Sequence, residues 1–166
     1  CWTFPESDGG GKVIGLMRRF PEPVTIHGEM KNKLSVKDGH RGLTIPDGWR
    51  ERSGPVLLVE GASDVLALAM CGVAGIGRPS NTGGIEQLAG LLREVPADRD
   101  VVVLGENDAS PEKGWPGRVG AVSTVQQLDD LLGRRLRWGF PPEGVKDCRD
   151  WVLEIAAGWA LSLIHI

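Results

Sequence analysis

From Pro55 onward, short apolar runs alternate with segments of helical periodicity, and this order constrains the fold more than any other feature of the chain. The runs PVLLV (55–59), VAGIG (73–77), DVVVLG (100–105) and LRWGF (136–140) read as short strands, the first with the pattern of a buried parallel strand. Between the first two, GASDVLALAMCG predicts a helix. Ser63 is its candidate N-cap, Val65, Leu66, Ala69 and Met70 form its apolar face, and Gly72 stops it. In IEQLAGLLREV, residues Ile85, Leu88, Leu91, Leu92 and Val95 recur at helical spacing. A third helix is expected over 117–132, with Val122, Val125 and Leu132 on its face and Gly133 as its stop. KDCRDWVLEIAAGW reads as a fourth, with Asp147 or Asp150 near its start. The order β-α-β-α-β-α-β-α predicts an open four-stranded parallel sheet flanked by helices. Right-handed crossovers then place every strand's carboxyl end on one rim, where open α/β sheets carry their sites.

The first third reads differently. Residues 1–20 form two short apolar runs around SDGGG, a hairpin signal. Residues 21–54 are rich in Pro, Gly and Lys and predict short strands and loops, and ERSGP (51–55) marks a boundary. The expectation is a small β-rich subdomain over 1–54 and an α/β unit over 55–158. The chain opens without Met inside a strand-like run and reads as a piece of a longer protein. Its last six residues, LSLIHI (161–166), read as a non-native tail.

Charge is uneven. Residues 1–55 carry 9 basic against 7 acidic side chains, and the remainder 10 against 15, giving the net −3 of 19 against 22. No bulk basic signal points to nucleic acid, although metal-binding carboxylates would push the balance the same way. Cys1, Cys71 and Cys148 are far apart, with neither zinc-site nor disulfide spacing, and fit free thiols in a reducing cytosol. No run reaches membrane-spanning length, so the expected location is cytoplasmic.

The rim is where the chemistry gathers. The first strand of the α/β unit ends in Glu60, the third leads to Glu106 and Asp108, and the fourth to Asp147. Bare, such carboxylates would repel and raise one another's pKa. A hard divalent cation relieves that repulsion, and Mg²⁺ is typically held by one or two carboxylates together with substrate phosphates. Each piece alone has a plain reading. A Glu-Gly at a strand end arises by chance, and GEND can be a turn. GRPSNTGG (77–84) is either a phosphate-cradling loop or a tight turn, with Arg78 a phosphate contact or a surface charge. Arg18 and Arg19 are either phosphate contacts or a solvated strand edge. Trp115 packs locally or stacks a base, and Trp138 and Trp151 read as core or core edge.

Taken together, VEGASD followed by a parallel strand ending in acidic-x-Asp resembles the Toprim domain of bacterial-type primases, topoisomerases and some nucleases. Glu106 stands where that pattern has its first Asp. Asp64, four residues after Glu60, and PEGVKDCRDWV resemble the primase branch, and GGGKVIGLMRRF with HRGL resembles the small subdomain preceding Toprim in the primase polymerase core. The Trp-rich style resembles primase-like proteins of mobile elements or environmental bacteria. The resemblance implies a DNA primase core fragment, a nucleotidyltransferase that makes short RNA primers on single-stranded DNA from nucleoside triphosphates with Mg²⁺ or Mn²⁺. It implies Glu60 as catalytic residue or ligand, Glu106, Asp108, Asp64 and Asp147 as metal-holding residues, and Arg18, Arg19, Lys33, Arg78 and Lys146 as contacts to nucleic acid or nucleotide. A replicative helicase would be met through regions outside this chain. The alternatives are a Toprim nuclease or topoisomerase-type cleavage module, which would need a Tyr this chain lacks if it were a topoisomerase, and a non-catalytic nucleic-acid or nucleotide-binding module.

Overall fold

The computed structural model describes residues 1–110, 112 and 114–163, so the end of the LSLIHI segment lies outside the described residues. The chain builds two sheets. Strands β1 (Trp2–Ser7), β2 (Val13–Ile26) and β3 (Glu29–Ser35) form an antiparallel sheet in the order β1-β2-β3. The turn after β1 is fixed by Asp8, whose Oδ1 accepts from Gly10 N at 3.0 Å and Lys12 N at 2.9 Å. The hairpin expected over 1–20 is present, and the following stretch supplies a third strand.

The second sheet is the expected one. Strands β4 (Val56–Glu60), β5 (Ala74–Arg78), β6 (Val101–Leu104) and β7 (Arg137–Gly139) lie in the order β5-β4-β6-β7, every pair parallel. Helices α1 (Ala62–Met70), α2 (Ile85–Leu92), α3 (Pro116–Leu132) and α4 (Cys148–Leu163) connect and follow them. Among the described residues no helix is long and apolar enough to cross a membrane.

Strand alternation divides the core. Val56 and Leu58 point to the face covered by α2 and α3, where Ile76, Leu88, Leu91, Leu92, Val103, Ala121, Val125 and Leu128 pack. Leu57 and Val59 point to the other face, where they cluster with Leu104 of β6 and with Val65, Leu68 and Cys148 of the α1–α4 layer. Glycines at alternate positions of β5 permit this packing. A Cβ at Gly75 would stand 2.7 Å from Leu68 Cδ1, and one at Gly77 2.9 Å from Thr44 Cβ.

Three expectations need correction. The α1 N-cap is Gly61, with φ 85°, and Ser63 provides no side-chain cap. The buried face of α1 is Asp64, Val65, Ala67 and Leu68, whereas Leu66 and Met70 are exposed. The helix is apolar nearly all round, so several overlapping stripes fit its spacing, and packing of α4 beside the sheet selects this one. Trp138, on the short edge strand β7, is exposed, its ring tilted against Phe140 with centroids 5.3 Å apart. Gly133, in the left-handed conformation with φ 63°, ends α3 as expected.

The N-terminal third is not a separate body. Leu43 and Trp49 lie in the core of the parallel sheet at 0% and 2% exposure. Thr44 exchanges both backbone hydrogen bonds with Gly77, at 2.9 Å each, along the outer side of β5.

Candidate active site

The carboxyl ends of β4, β5 and β6 open into a cavity of about 280 Å³, and the face of the antiparallel sheet bearing Phe4, Met17 and Arg19 forms the opposite wall. Glu60 closes β4 in register with Arg78 at the end of β5. One residue past the end of β6 comes Gly105, and Glu106 enters the cavity from there. Glu60, Asp64, Glu106 and Asp147 all line this space, so four of the five acidic residues expected to converge do so.

Their surroundings differ. Asp64 is buried on α1, and its Oδ1 accepts from Arg149 N at 3.0 Å. Asp147 is buried before α4, its Oδ1 capping Asp150 N at 2.9 Å and its Oδ2 paired with Arg149 Nη2 at 3.2 Å. One oxygen of Asp64 thus ties α1 to the start of α4, and both oxygens of Asp147 are engaged within that first turn. Glu60 and Glu106 make no such bond to a helix end. Burial pushes the Glu106 carboxyl up to about 7, with Glu60's charge adding to the effect, Lys146 opposing it, and Asp64 and Asp147 contributing further. Asp64 rises to about 6, from burial first and then Asp147 beside it, against the Arg149 backbone bond and charge. The repulsion expected on the rim is thus present.

Asp108 is not brought into the cluster. Its Oδ1 accepts from Gly117 N at 2.7 Å, which satisfies a free donor in the first turn of α3, and it does not line the cavity. Asn107 between the two acids is a staple. Its Nδ2 donates to the carbonyls of Pro141, Pro142 and Val145 at 3.0, 3.2 and 2.8 Å, while its Oδ1 accepts from Arg118.

The cations also sort themselves. Arg19 lines the cavity and donates from Nη1 to Ser63 Oγ at 3.2 Å, linking the antiparallel sheet to α1. Lys33, its register partner on β3, shares that face, and exposed Lys146 stands on the far lip. Arg18 is turned to the opposite face by strand alternation and does not reach the cavity. Arg78 is corrected more strongly, because it is only 1% exposed. Its Nη2 donates to Leu104 O at 3.0 Å, and its Nη1 to Thr124 Oγ1 at 3.3 Å and to Asn81 O. Burial pushes this guanidinium below its ordinary value while Glu60 and Glu106 pull it back. Arg78 is the internal counter-charge of the acidic rim, not a surface phosphate contact. Sequence reasoning also passed over Arg149, which carries the Asp147–Asp150 pairing, and over Glu6 and Arg41, which face the cavity from the N-terminal side. The segment KDCRDW contained the first signal. The other two residues are 35 positions apart and meet only through the fold.

Several solved structures share this fold. A DNA primase domain from Pseudomonas aeruginosa superposes with a TM-score of 0.65 at 23% identity, covering 92% of this chain and 46% of that one. The zinc-binding and RNA polymerase domains of the Aquifex aeolicus primase give 0.68 at 21%, covering 98% and 39%. A DnaG primase catalytic domain bound to single-stranded DNA gives 0.62 at 23%, covering 92% and 48%. The fold is that of a bacterial primase catalytic core. Its parallel sheet is the Toprim-type unit and its antiparallel sheet the small β subdomain that precedes it. The chain spans less than half the length of each of these three primase chains. No family model matches the sequence, and no curated protein does.

Proposed function

We propose that this chain is the catalytic core of a primase, joining ribonucleotides on a single-stranded DNA template by metal-dependent nucleotidyl transfer. The observation that carries the reading is the pair Glu60 and Glu106, on the ends of adjacent parallel strands in one cavity, with Glu106 held near 7 by burial and by its neighbour. The primase fold and the neighbour described as bound to single-stranded DNA support it.

The donor set fits Mg²⁺ or Mn²⁺. Among the described residues no three acidic, His or Cys side chains form a ready-made cage. Crowded carboxylates at an open cavity fit an ion shared with substrate phosphates and water. Glu60 and Glu106 would hold it, with Asp64 Oδ2 behind them and Asp147, both of whose oxygens also serve the start of α4, assisting. When bound, the ion would activate the attacking hydroxyl and stabilise the leaving oxygen. The chain's own part is positioning and electrostatics. If Glu60 does not itself bind the ion, it would take the proton of a primer 3′ hydroxyl. Arg78 keeps the acidic floor from splaying, and Arg149 fixes Asp147. Arg19, Lys33 and Lys146 offer a sequence-blind cationic wall to template or nucleotide phosphates. Such a core works in the cytoplasm and would meet a helicase through parts of the protein outside this chain.

The test is incorporation of labelled ribonucleotides on single-stranded DNA with Mg²⁺ or Mn²⁺, wild type against Glu106→Ala, with strand nicking scored in parallel. Nicking without incorporation would replace the polymerase by a nuclease. A second reading, a module that binds nucleotide or nucleic acid without turnover, draws on Asp108, whose carboxylate is engaged at the start of α3. Metal binding with neither incorporation nor nicking would favour it.

A further inference from the structure

The N-terminal sheet contains a charged pair that the acidic rim does not use. Glu6, on β1, is an acidic side chain only 3% exposed. Its Oε1 accepts from Arg41 Nε at 2.8 Å, and its Oε2 is buried without a partner. Arg41 also donates from Nη2 to the carbonyl of Pro79. Pro79 follows Arg78, whose register partner is Glu60, so the Arg41 head stands beside the carboxyl end of β5. Both Glu6 and Arg41 line the cavity that holds Glu60 and Glu106.

A buried ion pair is weak evidence for stability, because desolvation offsets the attraction. Its geometric effect is clearer. Bonds at Nε and Nη2 stop the guanidinium from rotating, and among the described residues no bond engages Nη1. The side chain remains partly exposed, at 43% against 4% for Glu6. An arginine fixed on one edge and open on the other suits a phosphate, whose oxygens accept from a planar fork.

We propose that Arg41 is a phosphate-binding residue of this cavity, held in place by Glu6, and that its ligand is the polyphosphate of the incoming nucleotide. This rests on the nucleotidyl-transfer reading of the same cavity. Phosphate can come from a nucleotide or from the template backbone. The position beside the β5 end favours the nucleotide, because a polyphosphate anchored near Glu60 and Glu106 reaches Arg41 across the same small cavity. Glu6 is a positioning residue and touches no ligand.

Isothermal titration of the chain with ATP and with inorganic triphosphate, in Mg²⁺, tests this, alongside anisotropy with a single-stranded oligodeoxynucleotide. Arg41→Ala should weaken both triphosphate ligands about tenfold or more and the oligonucleotide less than threefold. Arg41→Lys should fall between, because one ammonium cannot bridge Glu6, Pro79 O and a phosphate together. Glu6→Ala should weaken triphosphate binding several-fold with the oligonucleotide unaffected, because Arg41 loses its anchor, whereas Glu6→Gln, whose amide oxygen still accepts from Arg41 Nε, should restore most of the affinity. Arg41→Gln retains a donor for Pro79 and serves if the alanine variant unfolds. Equal losses for both ligand types would reassign Arg41 to the template and overturn the proposal, as would triphosphate affinity within twofold of wild type. Primer synthesis is scored separately. Selective loss of triphosphate binding in a chain that makes no primers upholds the phosphate site while the polymerase reading falls.

Discussion

The two sheets of this molecule differ in what surrounds them. Strands β4, β5 and β6 are enclosed by helices on both faces, and Val56, Leu58, Ile76 and Val103 have no exposed surface. Strands β2 and β3 are half-exposed or exposed along their length. The enclosed sheet can hold carboxylates together against their repulsion, because packing fixes the strand ends that bear them. The open sheet offers long basic side chains, Arg19 and Lys33, that can adjust to a flexible polyanion. The four crowded carboxylates lie on the enclosed side of the cavity, and the exposed strands opposite contribute Arg19 and Lys33.

The contrast is most open to attack at the acids. Glu106→Ala should reduce primer synthesis on the order of 100-fold or more with little change in fold. Lys33→Ala should instead weaken DNA binding and reduce the slope of log affinity against log salt by about 1. If Lys33→Ala abolishes turnover and Glu106→Ala spares it, the assignment of roles is inverted. Stability gives the next test. Leu58→Ala should cost about 2–5 kcal/mol in urea unfolding, and Leu16→Ala on the open sheet about 0.5 kcal/mol or less. Comparable losses would mean that the open sheet is covered in solution.

Asp108 offers a finer cut. As a cap on α3, Asp108→Ala should cost about 1 kcal/mol, while Asp108→Asn should retain primer synthesis within about tenfold, since an amide oxygen still accepts from Gly117 N. Collapse of activity in the asparagine variant would return Asp108 to the metal-holding set. The smallest effect concerns pH. Glu106 moves from 4.5 unfolded to about 7 folded, and Asp64 from 3.8 to about 6. Over that window the folded chain binds more protons than the unfolded one, so metal-free stability should fall as pH rises from about 4 to about 7. Glu106→Gln should flatten the fall, and added Mg²⁺ should raise Tm more at pH 8 than at pH 5. A Tm that rises steadily across the same range would contradict the crowding of these acids.

The enclosed sheet was legible because strands dry on both faces must be apolar throughout, and three such runs with a fourth at the edge, all separated by helical spacing, admit few arrangements. The open sheet was legible only as a hairpin, since β3, from Glu29 to Ser35, carries little pattern that separates it from a loop. At the site, Glu60 and Glu106 could be read from strand ends. Arg78 could not, because its burial depends on acceptors at 81, 104 and 124, contributed by three other segments. Arg18 was grouped with Arg19 by adjacency, and adjacency in a strand means opposite faces. Asp108 was grouped with Glu106 on spacing, while the local geometry of the following helix took its carboxylate.

The ladder between Thr44 and Gly77 has a practical corollary. A lateral strand whose amides and carbonyls lie bare is an invitation to pair with another molecule, and here residue 44 of the same chain shields part of that flank. Trimming the protein at the glycine-proline junction, Gly54-Pro55, would remove the shield together with Leu43 and Trp49. The product should be recovered as aggregate, whereas a cut placed ahead of Leu43 would leave both the shield and the plug in position.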